Sequence, residues 1–347
     1  MPEEKILLSV IIPVYNAARE LHECLLALLN SSPSGVEIMV VDDGSTDGTP
    51  VVAREMGVRV LQLEKNSGPA AARNHGARYA NGEILFFVDA DVVAAPGLVS
   101  RVYPIFQERP EIAAVFGSYD ASPRARGLVS QFRNLLHHYV HQEGNPDAAT
   151  FWAGCGAIRR SVFESVGGFD EKKFPRPSIE DIELGYRLRQ AGHRILLDKA
   201  VQGTHLKKWT LWSVVRTDIQ RRAVPWARLM LESKLAPDDL NIKTAQRISG
   251  VLVLLTCILC VLGIVWVESL WLASLTFLTV VFLNRDLYGF FLRQRGALFA
   301  AACVPLHFLY FLYSTVSYLF VWARFHLEIV VTRWVARALG NRRFFYE

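Results

Sequence analysis

The chain has 347 residues, enough for one large domain with an appendage or for two domains, and a formal net charge of +5 from scattered Arg and Lys. That scatter suits an anionic membrane surface or a phosphate-bearing substrate, and no basic, aromatic-interleaved module marks the chain as nucleic-acid-binding. Hydrophobic residues make up 51% of the chain and mean hydropathy is +0.21, high for a soluble protein. The five cysteines (Cys24, Cys155, Cys257, Cys260, Cys303) form no disulfide framework.

Met1 to Lys5 is charged and leads directly into a strand, unlike a signal peptide, so the globular part is expected in the cytosol. Residues 7–14 (LLSVIIPV) read as a buried strand, followed by a Tyr15-Asn16 turn and a helix over 18–29 with leucines at helical spacing. Residues 36–41 predict a second strand ending in Asp42-Asp43-Gly44, after which Ser, Thr and Asp can cap a helix near Pro50. One of the two aspartates is expected to shape that turn, leaving the other carboxylate for a nucleobase or ribose. A strand over 58–63 and an Ala-rich helix over 70–79, carrying Arg73 and Asn74, come next.

Residues 84–88 (ILFFV) form the central buried strand, and Asp89 and Asp91 follow it at i and i+2. In extended backbone both side chains share a face, so they can meet one hard divalent cation at the ligand-binding edge of the sheet. An ordinary acidic turn is the plain alternative. The β-α alternation predicts a doubly wound α/β sheet.

A further strand is read at 113–119. His137, His138 and His141 lie in a polar stretch, where a solvated or acceptor-facing helix is the default over a metal pair. Residues 151–159 (FWAGCGAIR) are apolar and Gly-rich, so backbone there can approach a ligand closely. A turn at 167–170 precedes a helix over 181–191 whose start, Glu180-Asp181, also suits a helix N-terminus. A strand over 194–197 leads to Thr204-His205-Leu206-Lys207-Lys208-Trp209.

From Ser9 to Trp209 this order of parts resembles the inverting family-2 glycosyltransferases with a GT-A fold. The segments SVIIPVYN, VVDDGSTDGT, NSGPAAARN, FVDAD, AGCGAIRR, VGGFDE, SIEDIELGYRLRQAG and THLKKW occur in the right order and spacing. The resemblance implies that Asp42 or Asp43, with Pro13, Val14 and Tyr15, holds the base and ribose of a nucleoside-diphosphate sugar, with Arg73 near the nucleotide. It implies that Asp91 binds Mg²⁺ or Mn²⁺ against the diphosphate, with Asp89 nearer ribose or metal and His205 a further ligand. Gly154, Cys155 and Gly156 would line the donor-sugar and acceptor pocket, and Asp181, beside Glu180, would be the general base. Inverting transfer needs both a cation for the leaving diphosphate and a carboxylate for the acceptor's proton. The Gln-x-x-Arg-Trp motif of processive synthases is replaced by His205-Leu206-Lys207-Lys208-Trp209, which favours transfer of a single sugar.

The domain reading is a catalytic domain over 1–208, interfacial helices over 209–246 and a membrane region over 247–347. The membrane spans are read at 248–267, 269–284 and 297–323. Arg285, Arg293 and Arg295 mark 284–296 as a cytosolic loop, whereas a third full span would carry Arg324, Arg333, Arg337, Arg342 and Arg343 to the far side, against the charge rule. The whole reads as a multi-pass cytoplasmic-membrane enzyme working from the cytosol on a lipid-linked or other glycan acceptor. The alternatives are a polyprenyl-phosphate sugar synthase and a non-catalytic nucleotide-sugar-binding scaffold. Sugar, base, acceptor and oligomeric state are not legible in the sequence.

Overall fold

The computed structural model describes residues 6–338 apart from Lys234 and Ala236, with side chains through Thr332. Met1 to Lys5 and the basic side chains at Arg333, Arg337, Arg342 and Arg343 lie outside the described residues. The chain forms two units. The first is the chain through Thr210 with Asp239–Asn241 and Phe290–Phe299; the second is Leu211–Asp238, Ile242–Gly289 and the chain from Ala300.

The first unit is built on a mixed sheet of eight strands: β1 (Leu8–Val14), β2 (Val36–Asp42), β3 (Arg59–Gln62), β4 (Ile84–Val88), β5 (Val92–Ala94), β6 (Ile112–Tyr119), β7 (Cys155–Arg159) and β8 (Arg194–His205). Their order is β3-β2-β1-β4-β7-β6-β8-β5. The first four are parallel, β7 runs antiparallel between β4 and β6, β6 and β8 are parallel, and β5 pairs antiparallel with the end of β8. Seven helices cover the sheet: α1 (Ala18–Ser31), α2 (Thr49–Glu55), α3 (Pro69–Tyr79), α4 (Leu98–Glu108), α5 (Leu128–Gln142), α6 (Arg160–Ser165) and α7 (Glu180–Gln190).

Strand alternation explains why the runs are apolar throughout. Leu8, Val10, Ile12 and Phe86 pack under α1 and α4, whereas Ile11, Met39, Leu85 and Phe87 pack on the opposite face with α3 and α7. Phe86 and Phe87 are fully buried, and each such side chain contributes about 1.5–3 kcal/mol.

Several expectations change. Residues 155–159 form a central strand, not only a ligand-facing loop; the glycines hid it because glycine disfavours strands elsewhere. β8 continues to His205 instead of stopping at 197, and β5, α4 and α6 were not anticipated. α5 is not a solvated helix: His141 is buried and its Nδ1 meets Gly117 O at 2.9 Å, while His138 Nδ1 meets Tyr119 O at 2.7 Å.

The second unit is helical, with α8 (Leu211–Asp218), a π-helical turn over Ile219–Ala223, α9 (Val224–Ser233), α10 (Thr244–Leu262) and α11 (Ser269–Leu283). α12 (Arg285–Arg295) and α13 (Ala297–Ala338) each have one part in either unit. α10 and α11 pair closely: Thr256 and Thr276 hydroxyls are 2.7 Å apart, and Asn284 Nδ2 donates to Ser249 Oγ at 3.0 Å. Val253, Val280 and Phe311 join them to α13 in one apolar cluster. Thr244–Leu262 and Ala297–Thr332 are long and apolar enough to cross a membrane; α11 qualifies only together with α12, across a 64° bend. The stretch expected as a cytosolic loop, 284–296, is therefore mostly the helix α12.

Candidate active site

The carboxyl ends of the parallel strands and the start of α7 bring the sequence-predicted residues of the first unit to one sheet edge. At its β1–β2 side, the Asp43 amide donates to Val14 O at 2.8 Å, fixing the two strand ends together. The Asp43 carboxylate is buried and accepts the amides of Ser67 at 2.7 Å and Gly68 at 2.8 Å. Burial pushes this carboxyl up, against those bonds. Gly68 itself has φ of +92°, and a side chain there would meet the Pro175 backbone. Asp43 is thus the turn-forming aspartate. Asp42 is also buried and holds two longer contacts, from Ser45 N at 3.3 Å and Gln62 Nε2 at 3.2 Å.

Pro13 and Val14 are buried in β1, leaving Tyr15, 47% exposed, as the side chain presented there. Sequence reasoning missed Asn16, whose φ is +48° and whose Oδ1 accepts the Thr46 amide at 2.8 Å. Together with Asn16 N donating to Ser45 Oγ at 2.9 Å, it laces the β1 and β2 loops into one rim. An Asn after a strand is the residue type that tolerates this conformation, so the signal was present.

In the centre lies Arg73, on α3 and buried. Its Nη2 donates to Asp89 Oδ1 at 2.7 Å and its Nη1 to Glu180 Oε1 at 2.9 Å. Glu180 is buried too, and its Oε2 takes the Ser178 amide at 2.9 Å. Glu180 thereby anchors the start of α7, with one oxygen on Arg73 and the other on the Ser178 amide. Asp181 is half-buried, with Oδ2 accepting from Ala153 N at 3.1 Å and Oδ1 from Ile182 N at 2.8 Å. Burial and the neighbouring Glu180 push its carboxyl up to about 7, against the pull of Arg73.

At the β8 side, His205 Nε2 stands 3.4 Å from Asp91 Oδ2. The imidazole is held on its other nitrogen, Nδ1, which lies 2.6 Å from Asn134 Oδ1, and by Tyr119, stacked at 4.2 Å. With Nδ1 engaged by Asn134, Nε2 is the ring atom turned toward Asp91. Burial pushes the Asp91 carboxyl up, but His205 and Lys207 outweigh it and hold the group below its usual value.

Gly154, Cys155 and Gly156 are buried, not open to a pocket. Trp152 and Phe151 press on the glycines, where any Cβ would collide with them, so the smallness serves packing. Gly154 still contributes its carbonyl, which accepts Asp89 N at 3.1 Å. Half-buried Trp152, packed on Tyr119 at 4.9 Å, lies next to the amide that holds Asp181.

Three carboxylates (Asp89, Glu180, Asp181) thus act on one buried guanidinium, and a fourth, Asp91, lies beside Asp89. That excess of negative charge suits a divalent cation. Among the described residues no group of three His, Cys, Asp or Glu is arranged for a metal, and Asp89 gives one oxygen, Oδ1, to Arg73. Asp91 and His205 are the two donors that face each other, 3.4 Å apart. Two protein donors is the number expected where substrate phosphates and water complete the shell.

Residues 9–167 match the family described as Glycosyl transferase family 2. The chain is 33% identical over 222 residues to Validoxylamine A glucosyltransferase of Streptomyces hygroscopicus subsp. limoneus, covering 54% of this chain and 48% of that protein. It is 35% identical over 118 residues to Glycosyltransferase GlyG of Streptococcus pneumoniae, covering 33% and 39% respectively. The chain therefore spans about half, or less, of those relatives' length. In fold it is similar to Mannosyltransferase PcManGT from Pyrobaculum calidifontis, solved in complex with GDP-Man and Mn²⁺. The TM-score is 0.57 at 19% identity, over 93% of this chain and 88% of that one.

Proposed function

We propose, from the match of residues 9–167 to the family described as Glycosyl transferase family 2, that the chain is a membrane-anchored, divalent-metal-dependent inverting glycosyltransferase. It moves one sugar from a nucleoside-diphosphate sugar to a lipid-linked or membrane-proximal acceptor in cell-envelope glycan or glycolipid synthesis, with the catalytic domain on the cytosolic side. The observation that carries the reading is the pairing of two different sites on one sheet edge. Asp91 with His205 supplies cation donors, and Asp181 supplies a carboxylate pushed up to about 7.

In this mechanism the Tyr15 and Asp42 rim receives the base and ribose. Asp91 and His205 would hold Mg²⁺ or Mn²⁺, and that ion would supply positive charge against the departing diphosphate. Asp181 accepts the proton of the acceptor hydroxyl as that oxygen attacks the anomeric carbon in line with the leaving group. Its amide bonds from Ala153 and Ile182 aim the carboxylate while leaving further lone pairs for the incoming hydroxyl. Arg73 and Glu180 act from beneath the site and do not touch the substrate.

A polyprenyl-phosphate acceptor is already anionic and needs no base, so the poised Asp181 favours a hydroxyl acceptor over that second reading. A non-catalytic scaffold would have no use for a tuned base. The test is donor hydrolysis by the full chain in detergent with Mn²⁺, over UDP-glucose, UDP-GlcNAc and GDP-mannose, for the unmutated chain and Asp91→Ala. One donor should be turned over in a metal-dependent way, at least about 100-fold faster than by the variant. Metal-independent donor binding without turnover would put the scaffold reading in its place.

A further inference from the structure

We propose that Arg73 is a positioning residue that locks the cation-binding strand end to the base-bearing helix, not a donor ligand; this rests on the function proposed above. The geometry is a closed ring of contacts. Asp89, at the end of β4, is held by Arg73 Nη2 at 2.7 Å, and the same guanidinium holds Glu180, at the start of α7, through Nη1 at 2.9 Å. Asp181, the next residue, is tied to Ala153 N at 3.1 Å, and the carbonyl of Gly154 takes Asp89 N at 3.1 Å, which brings the ring back to its start. Sequence separations of 16 and 107 residues are bridged by one side chain.

Three features argue against a donor-binding role. The Arg73 side chain is only 5% exposed. Its two terminal nitrogens are each committed to a carboxylate, and its Nε is buried without a partner. Phe169 covers the guanidinium at 5.5 Å from the ring centroid. What remains is a rigid, planar fork whose two N–H groups set the spacing between Asp89 and Glu180. The residue that carries Asp91 two positions on and the helix that carries Asp181 are thereby held at a fixed separation. A lysine, a single-point donor, can meet one of these carboxylates but not both.

The ring also sets the charge around the base. Asp181 is faced by Glu180 on its own helix, by Arg73 on α3, and by the uncharged Ala153 amide on the preceding loop. Positioning therefore has a signature that mere stability lacks: breaking the ring from its two ends should move the base in opposite directions.

The test uses the full chain in detergent with Mn²⁺ and whichever of UDP-glucose, UDP-GlcNAc and GDP-mannose the unmutated chain hydrolyses. It compares R73K, R73M and E180Q for kcat, donor KM, the acid limb of the pH profile and thermal midpoint. R73K, keeping the charge but not the fork, should lose about tenfold or more in kcat with donor KM within about threefold and the limb in place. R73M should move the limb upward by about one unit, and E180Q should move it downward. A tenfold rise in KM with kcat intact would make Arg73 a donor ligand and overturn the proposal. Folded variants with unmoved limbs and near-normal kcat would reduce it to a core ion pair. If R73M fails to fold, R73K and E180Q decide the matter by the same readouts. Absence of turnover in the unmutated chain sinks the function reading and this proposal together, whereas turnover with an unmoved limb sinks this proposal alone.

Discussion

Asp181 shows how much one side chain owes to its surroundings. An aspartate usually titrates near 3.8, and here burial first and Glu180 second lift it to about 7. A base works when deprotonated, so the rate should climb with pH below about 7 and level off above it. Asp181→Asn should keep the fold and cost about 10²–10⁴ in kcat. A pH-rate profile of the unmutated chain with its preferred donor checks the first statement; a limb near pH 4, or an Asn variant of undiminished rate, would remove Asp181 from the reaction. That Asp89, Asp91, Asp181 and His205 would gather at one sheet edge was legible in the sequence, because they sit in short ordered segments that resemble a family. Their partners were not. Asn134 reaches His205 across 71 residues of sequence, from a stretch whose polar character suggested solvent instead of a buried helix. Nor could the sequence say which of Asp42 and Asp43 shapes the turn. That is decided by the amides of Ser67 and Gly68, 24 and 25 residues further on.

At the level of elements, the site depends on how closely α7 approaches the loop before β7. Gly185, in the middle of α7, is the reason it can. A Cβ there would collide with the backbone of Thr150 and Phe151, neither of which is a flexible side chain that could swing away. Glycine inside a helix normally costs about 0.5–1 kcal/mol relative to alanine. Gly185→Ala should nevertheless destabilise the chain, by about 1–3 kcal/mol, because the clash must be relieved by moving the helix. The loop being pushed is also the one whose Ala153 amide holds Asp181. Activity at a temperature where the variant is fully folded should therefore fall by more than the loss of stability accounts for. Paired thermal-melt and kcat measurements check this, and a variant as stable and active as its parent would show that the contact is slack. The same packing logic explains the strand that sequence reasoning missed. In residues 151–159 the glycines read as flexible backbone near a ligand, whereas they admit the Trp152 and Phe151 rings against a central strand.

For the whole molecule, the proposed membrane anchoring can be argued from the helices after Thr210. Ile264, Val265 and Trp271, around the turn joining α10 to α11, are 83%, 93% and 80% exposed, an apolar tip of the kind that marks a membrane or partner contact. Length alone would let α13 cross as well. Its polar contacts lead us to predict that it does not. Residues Phe290–Phe299, which include the start of α13, belong with the catalytic unit, and Arg295 just before it donates to Gln131 Oε1 at 2.9 Å. Further along α13, Glu328 pairs with Arg228 of α9 at 2.6 Å. Among the described residues, nothing from Leu211 to Ser233 is long and apolar enough to cross a membrane. The expected arrangement in a membrane therefore has α10–α11 as the inserted hairpin and both ends of α13 on one side, where Arg324 would satisfy the charge rule. The chain should sediment with membranes, resist high-salt and alkaline carbonate washes, and need detergent for release. In a background without the native cysteines, Lys172→Cys on the catalytic unit and Thr332→Cys near the end of α13 should react with an impermeant maleimide from the same face of sealed vesicles. Labelling from opposite faces would make α13 a true span, and the Arg228–Glu328 pair would then have to break in the bilayer.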